Sequence, residues 1–252
     1  MMEPQRLPAI QGWNWIKRGY RLFVMAPLLW IVLLLIWLTA IILLSAVPMI
    51  GDPLASLLLP ASLIGFMVGC RALEQGDELE LAHLLGGFRQ RTAQLVTLGG
   101  IALALQLLIF GVMAATGGAM LVATLMGQHV QDPEVLAQVI ASAGPSILIG
   151  LALFSVLLMA MQFAPMLVYF NGIAPLAAMK LSLRAFLANI GPMLVYSITF
   201  TLLAILASMP MMLGWLALLP VMITSLYACY CAIFPLPAAT APGEPATPVQ
   251  EG

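Results

Sequence analysis

Long apolar runs separated by short polar stretches set the rhythm of this chain. A bilayer core about 30 Å thick needs roughly 20 apolar residues at about 1.5 Å each. Runs of that length predict about six spans: Pro27 to Pro48, Leu54 to Leu73, Leu95 to Thr116, Ser146 to Phe170, Gly191 to Met209 and Leu213 to Phe234. The first opens near Trp30, an aromatic of the kind that anchors at the membrane interface. After it, Met49-Ile50-Gly51-Asp52-Pro53 reverses the chain in a tight turn. Prolines interrupt the second, fourth and sixth runs at Pro60, Pro165 and Pro220. Kinks there are tolerable where neighbours re-satisfy the freed carbonyl.

The stretch from Thr92 to Gln131 carries no formal charge and is too long for one span and marginal for two. It reads as one span extended past Gly117-Gly118 by an apolar helix, or as two short spans turning at the glycines. The second reading would place Lys180 and Arg184 outside, against the cytoplasmic bias of basic residues. The single long helix is therefore preferred, and the alternative stays open. Gln128 to Pro145 forms a polar outer segment. Within it, Asp132-Pro133-Glu134 reads as a helix start, with Asp as cap and Pro at the first helical position.

Residues 74 to 94 hold the densest charge: Glu74, Asp77, Glu78, Glu80, Arg89 and Arg91. This predicts a solvated loop with one short helix, because Leu81, Leu84, Leu85 and Phe88 recur at i, i+3, i+4 and i+7. The tail, 235–252, is rich in Pro and Ala, lacks apolar periodicity and is expected to be disordered. The chain thus divides into an amphipathic cytoplasmic segment (1–26), a six-span membrane domain (27–234) and that cytoplasmic tail. The fold class is all-α, a polytopic membrane helix bundle with amphipathic interfacial helices.

Two segments are amphipathic. Trp13, Ile16, Tyr20, Phe23 and Val24 fall within about 100° on a helical wheel, with Asn14, Lys17, Arg18 and Arg21 beside them. That is the pattern of a helix lying in the interface, its basic residues available to anionic headgroups. A plainer reading is a positive flank that packs on the bundle. In residues 172–190, Leu176, Met179, Leu183 and Phe186 form a stripe with Lys180 and Arg184 off it. The candidate headgroup contacts are therefore Lys17, Arg18, Arg21, Lys180 and Arg184. Both segments contain Lys-x-x-x-Arg-x-Phe, and each is followed by a proline (Pro27, Pro192) and a hairpin of spans. His83 to Arg91 is loosely similar. Three parallel units of helix plus hairpin are expected.

Composition sharpens this picture. Hydrophobic residues make up 63 % and charged residues 8 %, against roughly 25 % charged in a soluble domain. Lipid must be the solvent for most of the surface. A formal net charge of −1 gives no bulk basic character for nucleic acid. The nine basic residues all fall on one side: Arg6, Lys17, Arg18 and Arg21 before span one, Arg71, Arg89 and Arg91 between spans two and three, Lys180 and Arg184 between spans four and five. The outer loops hold only Asp52, Asp132 and Glu134. Both termini are thus expected on the cytoplasmic side of the membrane. The first apolar run exceeds the 7–15 residues of a signal-peptide core and reads as a retained span. Cys70, Cys229 and Cys231 suggest no disulfide framework. Cys229 and Cys231 would point about 200° apart on a helix, which argues against a shared metal.

Candidate chemistry is sparse. No ionisable residue lies deep in a span, which disfavours a carboxylate proton relay; Arg71 sits at a span end and can snorkel. Glu80-Leu81-Ala82-His83 is a single Glu-x-x-His, whereas a di-iron bundle uses two plus two further Glu. It reads as an acidic helix start with a solvated His, and His129 with Asp132 as outer-loop polarity. There is no phosphate-binding glycine loop, nucleophile elbow or HExxH. No catalytic residue, cofactor or metal site is expected. Gln106 and Gln162 lie about 16 Å and about 12 Å deep. They predict an interhelical hydrogen bond worth about 0.6 kcal/mol, the alternative being a substrate contact in a midplane cavity. Ala61, Gly65 and Gly69 recur every four residues and form a small-residue packing stripe. Another span should cover it, with Leu58 and Phe66 away from the contact.

Several motifs carry a resemblance. Gly12-Trp13-Asn14-Trp15, Gly19-Tyr20-Arg21-Leu22-Phe23, and the run Gly69-Cys70-Arg71-Ala72-Leu73-Glu74-Gln75-Gly76 are followed by Glu80-Leu81-Ala82-His83-Leu84, Gly87-Phe88-Arg89 and Gln94-Leu95-Val96. Over roughly the first 110 residues the chain resembles a family of uncharacterised Gram-negative bacterial multi-pass inner-membrane proteins, and beyond that by hydropathy only. More distantly, the helix-plus-hairpin unit is similar to the membrane domain of some bacterial glycerophosphodiester phosphodiesterases. That likeness implies a membrane module alone, since their catalytic domain has no counterpart here. The expected function is a non-enzymatic module acting through lipid or protein contacts. The alternative is a transporter or export accessory for a small molecule or lipid. Membrane lipids are the expected partners, with no nucleic acid; a protein partner or homo-oligomer is left open.

Overall fold

The computed structural model describes residues 3–48, 50–126, 133–209 and 211–234, and among them every regular element is helical. Six stretches are long and apolar enough to cross a membrane: Pro27–Ser45, Gly51–Gln75, Thr92–Leu125, Gly144–Asn171, Ile190–Ser208 and Trp215–Ile233. All but one fall within a few residues of an expected span; the third runs past its expected end at Thr116 to Leu125. The expected disordered tail, the Asp132 cap and His129 lie outside the described residues.

The amphipathic α1 (Gln11–Met25) is joined to the first span, α2 (Pro27–Ser45), by Ala26 alone. Pro27 suits the first helical turn, where a missing N–H costs nothing. The second span, α3 (Gly51–Gln75), ends at Gly76 in the left-handed region (φ 87°). A 3₁₀ turn, Leu81–Leu85, then runs into the short α4 (Gly86–Arg89). The third span is one long path: α5 (Thr92–Met113), a wide π turn over Ala114–Gly118, and α6 (Ala119–Leu125). The break rests on Gly117, whose φ of 96° only glycine adopts cheaply. The stretch counts as one candidate span by length and composition, but Thr116 and Gly117 leave helical geometry and Val122 packs with Ile109 and Met113, so it is kinked at the glycines and is not one continuous helix.

α7 (Pro133–Ser142) precedes the fourth span, which is split into α8 (Gly144–Met161) and α9 (Ala164–Asn171). The split lies just before Pro165. Ser182 bridges it: its hydroxyl accepts from the Phe163 N–H at 3.0 Å and donates to the Met159 carbonyl at 2.8 Å. Those two backbone groups would bond to each other in an unbroken helix, so the serine has entered the ladder at the kink. Ser182 belongs to α10 (Pro175–Ala188), the second amphipathic helix. The last hairpin is α11 (Ile190–Ser208) and α12 (Trp215–Ile233).

The three amphipathic elements are received in a ring. The 81–89 segment packs along α3, α10 packs on α8 and α9, and α1 packs on α11 and α12. Each unit's interfacial element thus sits on the hairpin of the unit before it, and the first closes on the last. α3 and α12 are the most enclosed spans, 56 % and 50 % buried, whereas α11 is only 11 % buried and is peripheral.

The α1 stripe is corrected. Trp15, Ile16, Leu22 and Phe23 are buried with Gly12 and Gly19, while Trp13, Tyr20 and Val24 are exposed. The wheel merges two adjacent apolar arcs, one facing the bundle and one facing away. At the bundle arc the backbones nearly touch. A Cβ on Gly19 would lie 2.5 Å from Ser225 N, and the Thr224 hydroxyl donates to the Gly19 carbonyl at 2.9 Å. Aromatics fill the core beside this contact, where Trp30 stacks near Phe66 and donates its indole N–H to the Leu22 carbonyl at 3.1 Å.

Candidate functional site

One end of the bundle gathers the basic residues, and α1 sorts its three cations to two sides. Arg18 turns toward α3 and pairs with Glu74, its Nε donating to Oε1 at 2.9 Å. Partial burial works against this guanidinium's charge, but the hydrogen bond and charge of Glu74 outweigh it and raise its pKa above the ordinary value. Arg18 is therefore engaged with Glu74, while its side chain stays 40 % exposed. On the helical wheel it falls about 60° and about 100° from Arg21 and Lys17, enough to carry it round to Glu74.

Lys17 and Arg21 instead border a groove of about 780 Å³, together with Tyr20. Its apolar wall runs along the last hairpin through Leu203, Ala207, Leu218 and Val221. The groove exists because α11 and α12 each pack more extensively on α1 than α11 does on α12. Near the basic end the two spans are tied by a hydrogen bond between Tyr196 Oη and Ser225 Oγ at 2.8 Å. At their far turn Gly214 lies close against Ala207.

Lys180 and Arg184, one turn apart on α10, border a second cleft of about 900 Å³. Its opposite wall is the N-terminal segment, which contributes Glu3 and Arg6, and its apolar lining includes Ile173, Leu181 and Leu187. Asn189 holds that segment in place. Its Nδ2 donates to the Gln5 carbonyl and its Oδ1 accepts from the Leu7 N–H, each at 2.9 Å. The Gln5 N–H donates in turn to the Ile233 carbonyl at 3.1 Å. Arg6 belongs to the basic bias, but no sequence pattern singles it out as a site residue. No periodicity marks it, and its position depends on a side chain far along the chain. Among the described residues, none of Arg6, Lys17, Arg21, Lys180 and Arg184 makes an ion pair.

The remaining candidates are placed as follows. Glu80 donates its backbone N–H to His83 Nδ1 at 2.9 Å, so the Glu-x-x-His closes a turn. Among the described residues, no three His, Cys, Asp or Glu side chains converge as a metal site would require. Arg71 lies over the Phe170 ring, 5.4 Å from its centroid, a cation–π distance. Cys70, Cys229 and Cys231 are free thiols.

The expected Gln106–Gln162 bond is not made: among the described residues, no hydrogen bond joins the two side chains. Gln162 still continues α8, its N–H bonding to the Leu158 carbonyl at 2.9 Å, so similar depth in the membrane does not by itself bring the two side chains together. The small-residue stripe is buried, but its cover is not a span. A Cβ on Gly65 would meet the Leu84 backbone, one on Gly69 would meet Leu79, and Ala61 lies against Gly87. The charged loop folds back onto α3 instead of standing in solvent along its length. Phe66 points elsewhere and is fully buried against Trp30 and Trp37.

The chain is 30 % identical over 251 residues to a probable inner membrane protein of Burkholderia thailandensis, an alignment that covers 92 % of each chain. No protein-family profile matches it, and no solved structure is similar. The chain belongs to the family of this relative, a family of inner-membrane proteins.

Proposed function

We propose that this member of an inner-membrane protein family is a non-enzymatic module that works by holding anionic phospholipid at the basic end of its helix bundle. The observation that carries the reading is the groove between α1 and the last hairpin. Its rim presents Lys17 and Arg21, neither in an ion pair among the described residues, and its wall is an apolar track along two spans. A phospholipid matches both features, with a phosphate for the rim and acyl chains for the track. The basic end faces the cytoplasm in this proposal, as the positive-inside bias requires. The distant likeness to phosphodiesterase membrane domains is in keeping with a membrane module.

A basic residue beside an anionic membrane surface contributes about 1 kcal/mol. Two such residues give a preference of roughly 30-fold for anionic over zwitterionic lipid. The test is native mass spectrometry of the full chain, purified in neutral detergent and titrated with phosphatidylglycerol or phosphatidylcholine. Wild type retains phosphatidylglycerol preferentially, and K17Q/R21Q loses one bound copy. Equal retention of the two lipids by wild type, or no loss in the variant, overturns the reading. A second reading, lipid transport, draws on the continuity of the groove from α1 to the Gly214 turn. Lipid flip-flop in proteoliposomes that exceeds the protein-free rate would favour it.

A further inference from the structure

We propose that the cleft between the N-terminal segment and α10 is a binding site for a phosphate ester with an apolar body. It is separate from the groove and does not rest on the groove's lipid. Three cations, Arg6, Lys180 and Arg184, line it against one carboxylate, Glu3. None of the four is in an ion pair among the described residues. Gathering three like charges without partners is unfavourable unless an anion joins them, and arginine donors in a fixed fork match phosphate oxygens.

The cations are also held in position. Lys180 and Arg184 share one face of α10 at i and i+4. Arg6 lies between Gln5 and Leu7, whose backbone groups both bond to the side chain of Asn189. Asn189 is itself only 1 % exposed and also donates to the Ala185 carbonyl of α10 at 2.9 Å. One buried amide thus fixes the N-terminal segment to the helix that carries the other two cations. Such preorganisation removes the ordering cost that weakens binding by mobile surface charges.

Size and lining define the class of ligand. A cleft of about 900 Å³ lies in the range of pockets for drug-sized molecules and is far larger than a bare phosphate. Ile173, Leu181 and Leu187 offer apolar surface beside the cations. The occupant is therefore amphiphilic, with a phosphate monoester or diester at Arg6, Lys180 and Arg184 and an apolar portion over these side chains. It could enter from the bilayer as a phospholipid or from solution as a smaller ester.

The experiment uses the full chain in phosphatidylcholine nanodiscs with two probes. Phosphatidylglycerol is added and counted by native mass spectrometry, and butyl phosphate, a short-chain ester that stays largely in solution, is titrated by calorimetry. Wild type binds at least one probe in a manner that R6Q weakens about tenfold, and K180Q/R184Q weakens it further. K17Q/R21Q leaves this binding unchanged while losing the separate groove lipid. R6Q alters an exposed side chain ahead of the first helix, and an unchanged Tm verifies its fold. Binding of phosphatidylglycerol alone assigns the site to membrane lipid, and binding of butyl phosphate assigns it to a soluble ester. Failure of both probes to bind, equal affinity in R6Q and wild type, or loss of the same copy in K17Q/R21Q overturns the proposal.

Discussion

Adding one methyl group at Gly65 tests how the charged loop is held against the second span. A Cβ at this position would lie 2.5 Å from the Leu84 carbonyl oxygen, 2.6 Å from Leu84 Cα and 2.8 Å from its carbonyl carbon. All three are backbone atoms, so no side chain can rotate away and either the loop or α3 must shift. Overpacking of this kind costs about 1–3 kcal/mol, partly offset by about 1 kcal/mol from replacing Gly with Ala in a helix. Gly111 is the matched control: it lies in α5, is exposed, and has nothing within 4 Å of the place an added methyl would take. Gly111→Ala keeps the propensity gain and meets no clash. The propensity gain cancels between the two variants, so they should differ by the overpacking cost alone, about 1–3 kcal/mol. At roughly 2–4 °C per kcal/mol for a chain of this size, Gly65→Ala melts about 2–12 °C below Gly111→Ala in tryptophan-fluorescence unfolding. Phe66→Leu is no silent control here, because Phe66 is 1 % exposed and packs on two tryptophans. Equal melting temperatures for the two alanine variants would refute the close approach of Leu84 to α3.

Four further outcomes are expected. A periplasm-active reporter fused after Phe234 is silent and one fused near Gln131 is active; the reverse would overturn the orientation given to the basic end. Tyr196→Phe removes the Tyr196–Ser225 bond and lowers stability by about 0.6 kcal/mol, a typical value for a hydrogen bond between membrane helices; no change in Tm beside Phe200→Leu as a packing control would count against that tie. Gln106→Leu and Gln162→Leu are additive within about 0.3–0.5 kcal/mol, and stronger coupling in the double mutant would show a bond that the structure lacks. Arg18→Ala and Glu74→Ala couple by about 0.2–1 kcal/mol, as a partly exposed pair should, and the coupling shrinks as salt is raised; salt-independent coupling would point to something other than charge.

The spans were legible because lipid imposes a length rule and hydropathy reports it directly. Proline positions were legible for the same reason, yet their consequences were not. Pro60 and Pro220 remain inside continuous helices, whereas Pro165 follows a full break. The difference at Pro165 is Ser182, a hydroxyl from another unit that enters the ladder. The Gln106–Gln162 bond was not legible because depth along two spans does not say which faces of the helices meet. Wheel analysis found α1 and α10 and their cations, but not which cation turns inward. That choice depends on Glu74 lying across from Arg18, a tertiary fact. The stripe at Ala61, Gly65 and Gly69 announced a close approach without naming the partner, because small residues admit a loop backbone as readily as a helix. Arg6 lay furthest from view. Its environment is set by Asn189, and no local pattern connects them.

The ring of units follows from the corners. α1 is joined to α2 by Ala26 alone, and α10 to α11 by Asn189 alone. A one-residue corner leaves an amphipathic helix no chain length with which to fold back fully along the hairpin it precedes. Its apolar arc must be buried nonetheless, and the neighbouring hairpin supplies the surface. With three units, that handing-on closes only if the last hairpin receives the first helix. Closure brings the N-terminal segment beside the end of α12, where the Gln5 N–H meets the Ile233 carbonyl. It also wedges α1 against both members of the last hairpin, which opens the groove bordered by Lys17 and Arg21. The same closure sets Arg6 opposite Lys180 and Arg184. Both basic clefts are thus products of the joint between the first unit and the third.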